Sequence, residues 1–326
     1  MRAAVITAHG ALPEVVEFRD PEPAPGATLL EVAAAAMNPI DVRVASGQFP
    51  LECHEPPYVA GKEGIGRRAD GGLVYFDACR APFGAFAERT LIEADHGYPV
   101  PAGLDPGLAV SLGVSGLAAW LGLEWRGRLA PGETVLVLGA SGVVGQIAVQ
   151  AAKLLGAARV VAAARDEAAL ARAGDLGADA LVPLPGRRPD GDPSRMDAQR
   201  TELIEALREA SGGSGYDLVL DPLWGEPARA AIASVKRFGR FVNLGQSAGA
   251  EVSLSSATIR ATPVDLLGYT NYTAPEEAKA DAYARMAAHA AAGEIRVEVE
   301  RLGLDDVPDV WQRQGTSPHA KLVIVP

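Results

Sequence analysis

A glycine-rich turn held between a strand and a helix constrains this chain more than any other feature. Residues 133–138 read as a continuous apolar strand, and Gly139-Ala-Ser-Gly-Val-Val-Gly145 follows at once. Helical spacing takes over across residues 144–155, where Ile147, Ala148, Ala151, Leu154 and Leu155 share one face. Small residues let the main chain turn tightly and approach a pyrophosphate, whose charge meets the N–H groups and dipole of the helix N-terminus. Glycine-rich turns also occur for packing alone. Here a further strand at residues 159–164 completes the strand–helix–strand order, which favours dinucleotide binding. Gly139, Ser141, Gly142, Val143, Val144 and Gly145 form the candidate cradle.

The second strand bears on which dinucleotide is bound. An acidic residue about 20 positions after the glycines would hold the ribose 2′-OH of NAD. Ala164 ends that strand instead, and Arg165 follows it. A small residue leaves room and a guanidinium offers a forked cation to a 2′-phosphate, so the reading is NADP(H) with Arg165 as its selector. The plain alternative is an Arg that merely solvates a strand end. Asp166, one position on, complicates the register.

The alternation continues on either side of this unit. Helices are expected at residues 166–176, 201–210 and 227–236, and strands at 217–220, 240–244 and 266–269. Apolar strands alternating with helices imply a parallel sheet covered on both faces, an α/β doubly wound arrangement. Residues 184–200, dense in Pro, Arg, Asp and Gly, read as a solvated loop. Residues 1–106 are broken by Pro and Gly into short strand-like runs at 3–7, 28–34 and 86–92, an irregular β domain. A helix at residues 276–292 and a strand at 321–325 close the chain, the strand suited to pairing back into the first domain.

Composition removes other classes. Lys and Arg number 30 against 41 Asp and Glu, a formal charge of −11 with no long basic stripe, which argues against nucleic acid. Cys53 and Cys79 are too few for a disulfide framework or a thiolate zinc cage, and a reduced, cytoplasmic setting is expected. The apolar window at residues 108–123 is interrupted by Gly, Ser and Trp and reads as too short to span a membrane. No secretory signal is visible at the N-terminus. The five histidines and two cysteines lack metal-ligand spacing.

Several stretches in order along the chain resemble one family. They are Ala36-Met-Asn-Pro-Ile-Asp41, Pro57-Tyr-Val-Ala-Gly-Lys-Glu-Gly64, Gly84-Ala-Phe-Ala-Glu88 and Gly113-Val-Ser-Gly-Leu117. The glycine loop, Leu176-Gly-Ala-Asp179 and Tyr216-Asp-Leu-Val-Leu-Asp-Pro222 continue the series. The chain resembles the medium-chain dehydrogenase/reductase superfamily, in its zinc-independent quinone oxidoreductase branch. That resemblance implies a GroES-like β domain, residues 1–108 completed by 270–326, around a nucleotide-binding domain at 109–269. It also implies a homodimer paired through the last strand of the nucleotide sheet, around residues 264–269. Zinc-dependent relatives carry Cys where this chain has Asn38, and a His-Glu pair where it has Lys62-Glu63.

Without a Lewis acid to lower an alcohol's pKa, the remaining chemistry is hydride donation to an electrophilic acceptor, a quinone or an enone. The resemblance places Asn38, Asp41 and Ser115 around nicotinamide and substrate, and Gly245 and Gln246 beside the nicotinamide. Asn38-Pro39 is equally a turn, and Ser115 equally a helix N-cap. Many relatives carry tyrosines after the Asn-Pro-x-Asp element, whereas residues 42–49 here contain none. Arg43 and Lys62 are candidate polarisers of a carbonyl, with solvated surface cations as the plainer reading. Phe49, Tyr58, Tyr269 and Trp311 sit on the segments expected to set specificity. An enoyl or alkenal reductase of a biosynthetic pathway suits the altered segment equally, and a cofactor-binding sensor with little catalysis is the alternative of another class.

Overall fold

Short apolar runs fenced by Gly and Pro become the strands of the N-terminal part of the chain. They are β1 (Arg2–Ile6), β2 (Glu14–Glu17), β3 (Ala27–Ala36), β4 (Tyr58–Val59), β5 (Glu63–Arg67), β6 (Leu73–Phe76), β7 (Arg89–Glu93) and β8 (Tyr98–Pro99). Two helices accompany them, α1 (Pro39–Ala45) and α2 (Pro106–Ser111). The order then becomes α3 (Leu117–Leu121), β9 (Thr134–Leu138), α4 (Val143–Leu154), β10 (Arg159–Ala164), α5 (Glu167–Asp175), β11 (Ala180–Pro183) and α6 (Pro193–Ala210). It continues through β12 (Tyr216–Asp221), α7 (Gly225–Ile232), β13 (Val235–Asn243), α8 (Ser256–Ala261) and β14 (Val264–Gly268). The chain closes with α9 (Glu276–Ala291), β15 (Val299–Gly303), α10 (Val307–Arg313) and β16 (Lys321–Val325). This is a computed structural model, and it describes residues 1–186 and 193–326.

The chain divides into two compact units, Met1–Val114 with Tyr283–Pro326, and Ser115–Ala282. In the first, a small sheet runs β2-β1-β4, and a larger one runs β15-β16-β3-β5-β6-β8 with β7 also on β3. β16 lies antiparallel to β3, with Val323 opposite Ala36 and Ile324 opposite Ala35. The C-terminal strand is therefore an inner strand of the larger sheet. Its alternate residues Leu322 and Ile324 join Leu30, Met37, Phe76, Phe86 and Trp311 in one buried core.

The second unit carries a six-stranded sheet in the order β11-β10-β9-β12-β13-β14, parallel throughout. All five residues of β9 are buried, as an inner parallel strand with both faces covered requires. Leu136, Leu138, Val161 and Phe241 pack with Leu203 and Leu207 of α6 and Ala228 of α7. The alternate residues Val135, Val137, Val160 and Ala162 are equally buried, and α4 packs on β9 and β10. The α/β, doubly wound class read from the sequence is the one adopted.

Several boundaries differ from the sequence reading. The helix expected from residue 201 starts at Pro193, so part of the expected solvated loop is helical. Residues 184–186 are irregular as expected, and residues 187–192 of that loop lie outside the described residues. α7 stops at Ile232 because Ser234 turns the chain and β13 already begins at Val235. β7 starts at Arg89, three residues after Phe86. Helical structure from Pro106 to Arg126 covers 21 residues, long and apolar enough to cross a membrane by those criteria, so the window at residues 108–123 understated its length. That stretch is 78% buried in the protein and breaks at Gly113, the marks of a core segment.

Candidate functional site

The glycine loop opens α4 in the second unit. Gly139 has φ +63°, a left-handed conformation that L side chains rarely adopt. At Gly145 a Cβ would collide with the Gly139 carbonyl oxygen and lie 2.5 Å from Cα of Ala140, so the turn packs directly on the helix. Gly142 differs. It is the N-cap of α4, and a Cβ there meets nothing nearer than the Gly139 oxygen at 3.6 Å. The chain's own packing would accept a Cβ there without a clash. Gly142 N–H turns back to Gly139 O at 3.0 Å, and Gln146 N–H makes the first bond of the helix to Gly142 O at 2.9 Å. The N–H groups of Val143, Val144 and Gly145 thus have no acceptor within the helix. Ser141 is buried, and its carbonyl accepts from Gln146 Nε2 at 3.1 Å.

Arg165 follows the last residue of β10 and is exposed. The register ambiguity at Asp166 resolves locally, because Asp166 Oδ1 caps α5 by accepting the Ala169 N–H at 2.7 Å. At the end of β12, the fully buried Asp221 accepts the N–H groups of Leu223 at 2.8 Å and Trp224 at 3.0 Å. Asn243 Nδ2 donates to Asp221 Oδ2 at 2.9 Å and to Gly245 O at 2.8 Å, tying two strand ends to the loop that carries Gly245 and Gln246. Burial raises the Asp221 carboxyl above its ordinary value. A Cβ on Gly245 would stand 2.6 Å from the Pro222 oxygen, while Gln246 is exposed. Ser115, 6% exposed, lies inside the helical turn Leu112–Gly116, so it is not an N-cap.

The first unit holds a buried polar cluster around Glu63, which the sequence reading did not single out. Asn38 is the N-cap of α1 and Pro39 its first residue, a strong start signal. Glu63 is fully buried and its carboxylate is saturated. Oε1 accepts from Asn38 Nδ2 at 2.7 Å and Lys321 Nζ at 2.9 Å, and Oε2 from Tyr75 Oη at 2.9 Å and Val114 N–H at 2.6 Å. Lys321 Nζ also donates to Asn38 Oδ1 at 2.6 Å, and Asn38 Nδ2 donates to Ala36 O at 3.1 Å. The Asn38 amide is thereby engaged on both its oxygen and its nitrogen. Gly113 breaks the helical path where Glu63 enters, and any Cβ there would collide with Glu63 and Tyr75.

Asp41 joins from α1. Its two oxygens accept the N–H groups of Asn38 at 2.8 Å and Lys62 at 2.9 Å. Burial, reinforced by the nearby Glu63 charge and opposed by those N–H groups and Lys321, pushes its carboxyl up to about 7. Lys62 Nζ pairs with Glu52 at 2.7 Å, and His54 Nε2 lies 3.0 Å from the other Glu52 oxygen. Arg43 is exposed on α1, and no hydrogen bond recorded among the described residues draws it into this cluster. Asn38, Asp41 and Lys62 are therefore brought together, with Arg43 apart. Lys321 and Tyr75 carried no sequence signal, because a Lys heading an apolar run and a Tyr within one read as ordinary strand residues.

Among the described residues no group of three or more His, Cys, Asp or Glu side chains converges as a metal ion would need. Lys62 supplies an ammonium and Asn38 an amide oxygen already held by Lys321, a donor set that does not fit zinc. The loop in the second unit does fit a dinucleotide pyrophosphate, through the open Gly142 and the first-turn N–H groups of α4.

Residues 143–288 match the model of a family described as zinc-binding dehydrogenase. The chain is 27% identical over 309 residues to a phenolphthiocerol/phthiocerol polyketide synthase of Mycobacterium tuberculosis, covering 91% of this chain but only 13% of that protein. It is 31% identical over 211 residues to prostaglandin reductase-3 of Mus musculus, covering 62% of this chain and 54% of that protein. Among solved structures, the quinone oxidoreductase of Thermus thermophilus, studied alone and with NADPH, superimposes with a TM-score of 0.80 at 26% identity over the whole of both chains.

Proposed function

We propose a function starting from the premise that this chain is a member of the medium-chain dehydrogenase/reductase superfamily, in its zinc-independent, quinone oxidoreductase-like branch. It is an oxidoreductase of NADP(H) that reduces the conjugated double bond or quinone system of a small neutral carbonyl compound. The observation that carries this reading is Gly142, where a Cβ would clash with nothing in the chain, at the start of α4 beside three N–H groups without an acceptor in the helix.

The bound cofactor supplies a hydride, and the chain's residues do the rest. The N–H groups of Val143, Val144 and Gly145 would hold the pyrophosphate, and Arg165, exposed after β10, would meet the 2′-phosphate. Asp166 is engaged as the cap of α5 through its Oδ1. Asp221 and Asn243 fix the loop bearing Gly245 and Gln246. In the first unit, Lys321 and Glu63 hold the Asn38 amide rigid, so Asn38 orients α1 and Asp41 and does not itself touch substrate. A conjugated acceptor stabilises its own developing charge, which suits a site built without a Lewis acid.

A second reading within the same chemistry is an enoyl reductase acting on thioester-bound chains. The match of 91% of this chain to part of a polyketide synthase favours it. Turnover of quinones, alkenals, cyclic enones and enoyl thioesters with NADPH and with NADH tests both readings. Oxidation of NADPH by at least one of these acceptors is expected. Binding of NADPH without turnover on any of them would contradict an enzymatic role and favour a sensor.

A further inference from the structure

Gln146 stands out among the polar side chains of the second unit. It is 4% exposed in the first turn of α4, and Gln150, one turn on along the same face, is equally buried. A buried amide is unfavourable unless it is hydrogen-bonded, and an apolar residue fills an inner helix face without that penalty. Ile147, Ala148, Val149 and Ala151 follow the apolar rule. Gln150 Nε2 donates to Gln146 O at 2.9 Å, within the helix itself. Gln146 reaches out of the helix instead, its Nε2 donating to Ser141 O at 3.1 Å. Its backbone N–H donates to Gly142 O at 2.9 Å. One residue thus takes two successive carbonyls of the glycine loop.

We infer that Gln146 is the positioning residue of the pyrophosphate cradle, an inference that rests on the cofactor reading above. A trans peptide is planar, with its C=O and N–H pointing opposite ways. Holding Ser141 O toward α4 therefore turns the Gly142 N–H back, where it meets Gly139 O at 3.0 Å. Holding Gly142 O along the helix turns the Val143 N–H out of the helix N-terminus. Without the Gln146 amide the Ser141 peptide is free to rotate, and a carbonyl oxygen swung toward a pyrophosphate would repel it. No acidic side chain stands in the first turn of α4, and Gly142 supplies no side-chain cap. The field at the loop is accordingly set by the direction of its peptide groups, which Gln146 fixes. A neutral amide suits this place, because it donates without bringing a negative charge up to a bound anion.

Binding measurements on the full chain test this without turnover. Gln146→Leu nearly keeps the side-chain volume but removes the donor, and is expected to weaken NADPH binding about tenfold. Adenosine 2′-monophosphate has the 2′-phosphate but no pyrophosphate, and its affinity is expected to stay at the wild-type value. Gln150→Leu, equally buried on the same face, should bind NADPH as the wild type does. Gln146→Glu keeps the test open should the first variant fail to fold. Burial raises the new carboxyl, which donates to Ser141 O when protonated and repels it when ionised. Of the elements packed against α4, α3 and β9 carry no titratable side chain. β10 carries Arg159, whose Nε donates to Ala210 O, and residues 122–126 carry Glu124 and Arg126, bonded to Trp120 Nε1 and Gly268 O. The ratio of the Gln146→Glu dissociation constant for NADPH to that of the wild type should fall toward one from about pH 8 to about pH 5. Wild-type NADPH affinity in Gln146→Leu, or a ratio that stays flat with pH, would overturn the inference. Equal losses for both ligands, or in Gln150→Leu, would overturn it too, because the role would then be structural. A wild-type chain that binds no NADPH would overturn the cofactor reading itself.

Discussion

The ammonium of Lys321 lies 2.9 Å from a carboxylate oxygen of Glu63, two side chains 258 residues apart and almost wholly removed from water. A buried ion pair is a weak source of net stability, yet losing one partner leaves an uncompensated charge. Lys321→Met should therefore cost about 3–5 kcal/mol in denaturant unfolding. Lys321→Met with Glu63→Gln should cost less than the sum of the single changes, by about 1–3 kcal/mol of coupling. Strict additivity would show that the two do not interact.

Asp41 predicts a pH dependence with a definite sign. Its carboxyl titrates near 7 in the folded chain against an ordinary value of 3.8, chiefly because of burial. Between these values the folded chain keeps a proton that the unfolded chain has released. The resulting stabilisation is full below about pH 4 and is lost as pH rises through 7. Glu63 and Lys321, the charged groups closest in effect, move it in opposite directions. The stability of wild type relative to Asp41→Asn, measured by denaturant unfolding, should fall as pH rises across that window. Parallel curves would contradict the assignment.

Arg165→Ala should raise the KM for NADPH about tenfold, the effect of one charge-assisted contact to phosphate, and leave the KM for NADH unchanged. Equal effects on both cofactors would remove Arg165 from 2′-phosphate recognition.

Two glycines of one loop should respond differently to the same change. Gly142→Ala makes only an ordinary contact with the Gly139 oxygen and should fold with wild-type stability while NADPH affinity falls at least tenfold. Gly145→Ala drives a methyl group into the Gly139–Ala140 backbone and should lower stability by about 1–3 kcal/mol. Calorimetric titration and thermal unfolding of the two variants separate ligand approach from packing.

The legible parts of the fold were those written in local pattern. β10 and β16 fall on the residues expected, because an uninterrupted apolar run bounded by polar or small residues has one reading as a buried strand. β11 escaped notice because four residues at a sheet edge, with alternating exposure, carry little hydrophobic signal. α6 was truncated because its first turns are polar, and polar residues beside Pro look like loop until a helix is known to continue through them. Within the candidate sites, the glycine loop was readable because backbone geometry demands particular residues in sequence. The Glu63 cluster was not, since Asn38, Glu63 and Lys321 meet only when β16 pairs with β3. Asp221 belongs to a motif visible in the sequence, but its hold on Asn243 depends on two adjacent parallel strands ending together.

Transfer of label from cofactor to product tests the central claim most directly. NADPH carrying deuterium at the reactive nicotinamide carbon is incubated with the chain and an enone, and the saturated ketone is examined by mass spectrometry and NMR. One deuterium on the β-carbon and none on the α-carbon is the predicted result. Oxidation of NADPH with no deuterium in the ketone, or deuterium on the α-carbon, would contradict direct hydride transfer to a conjugated acceptor.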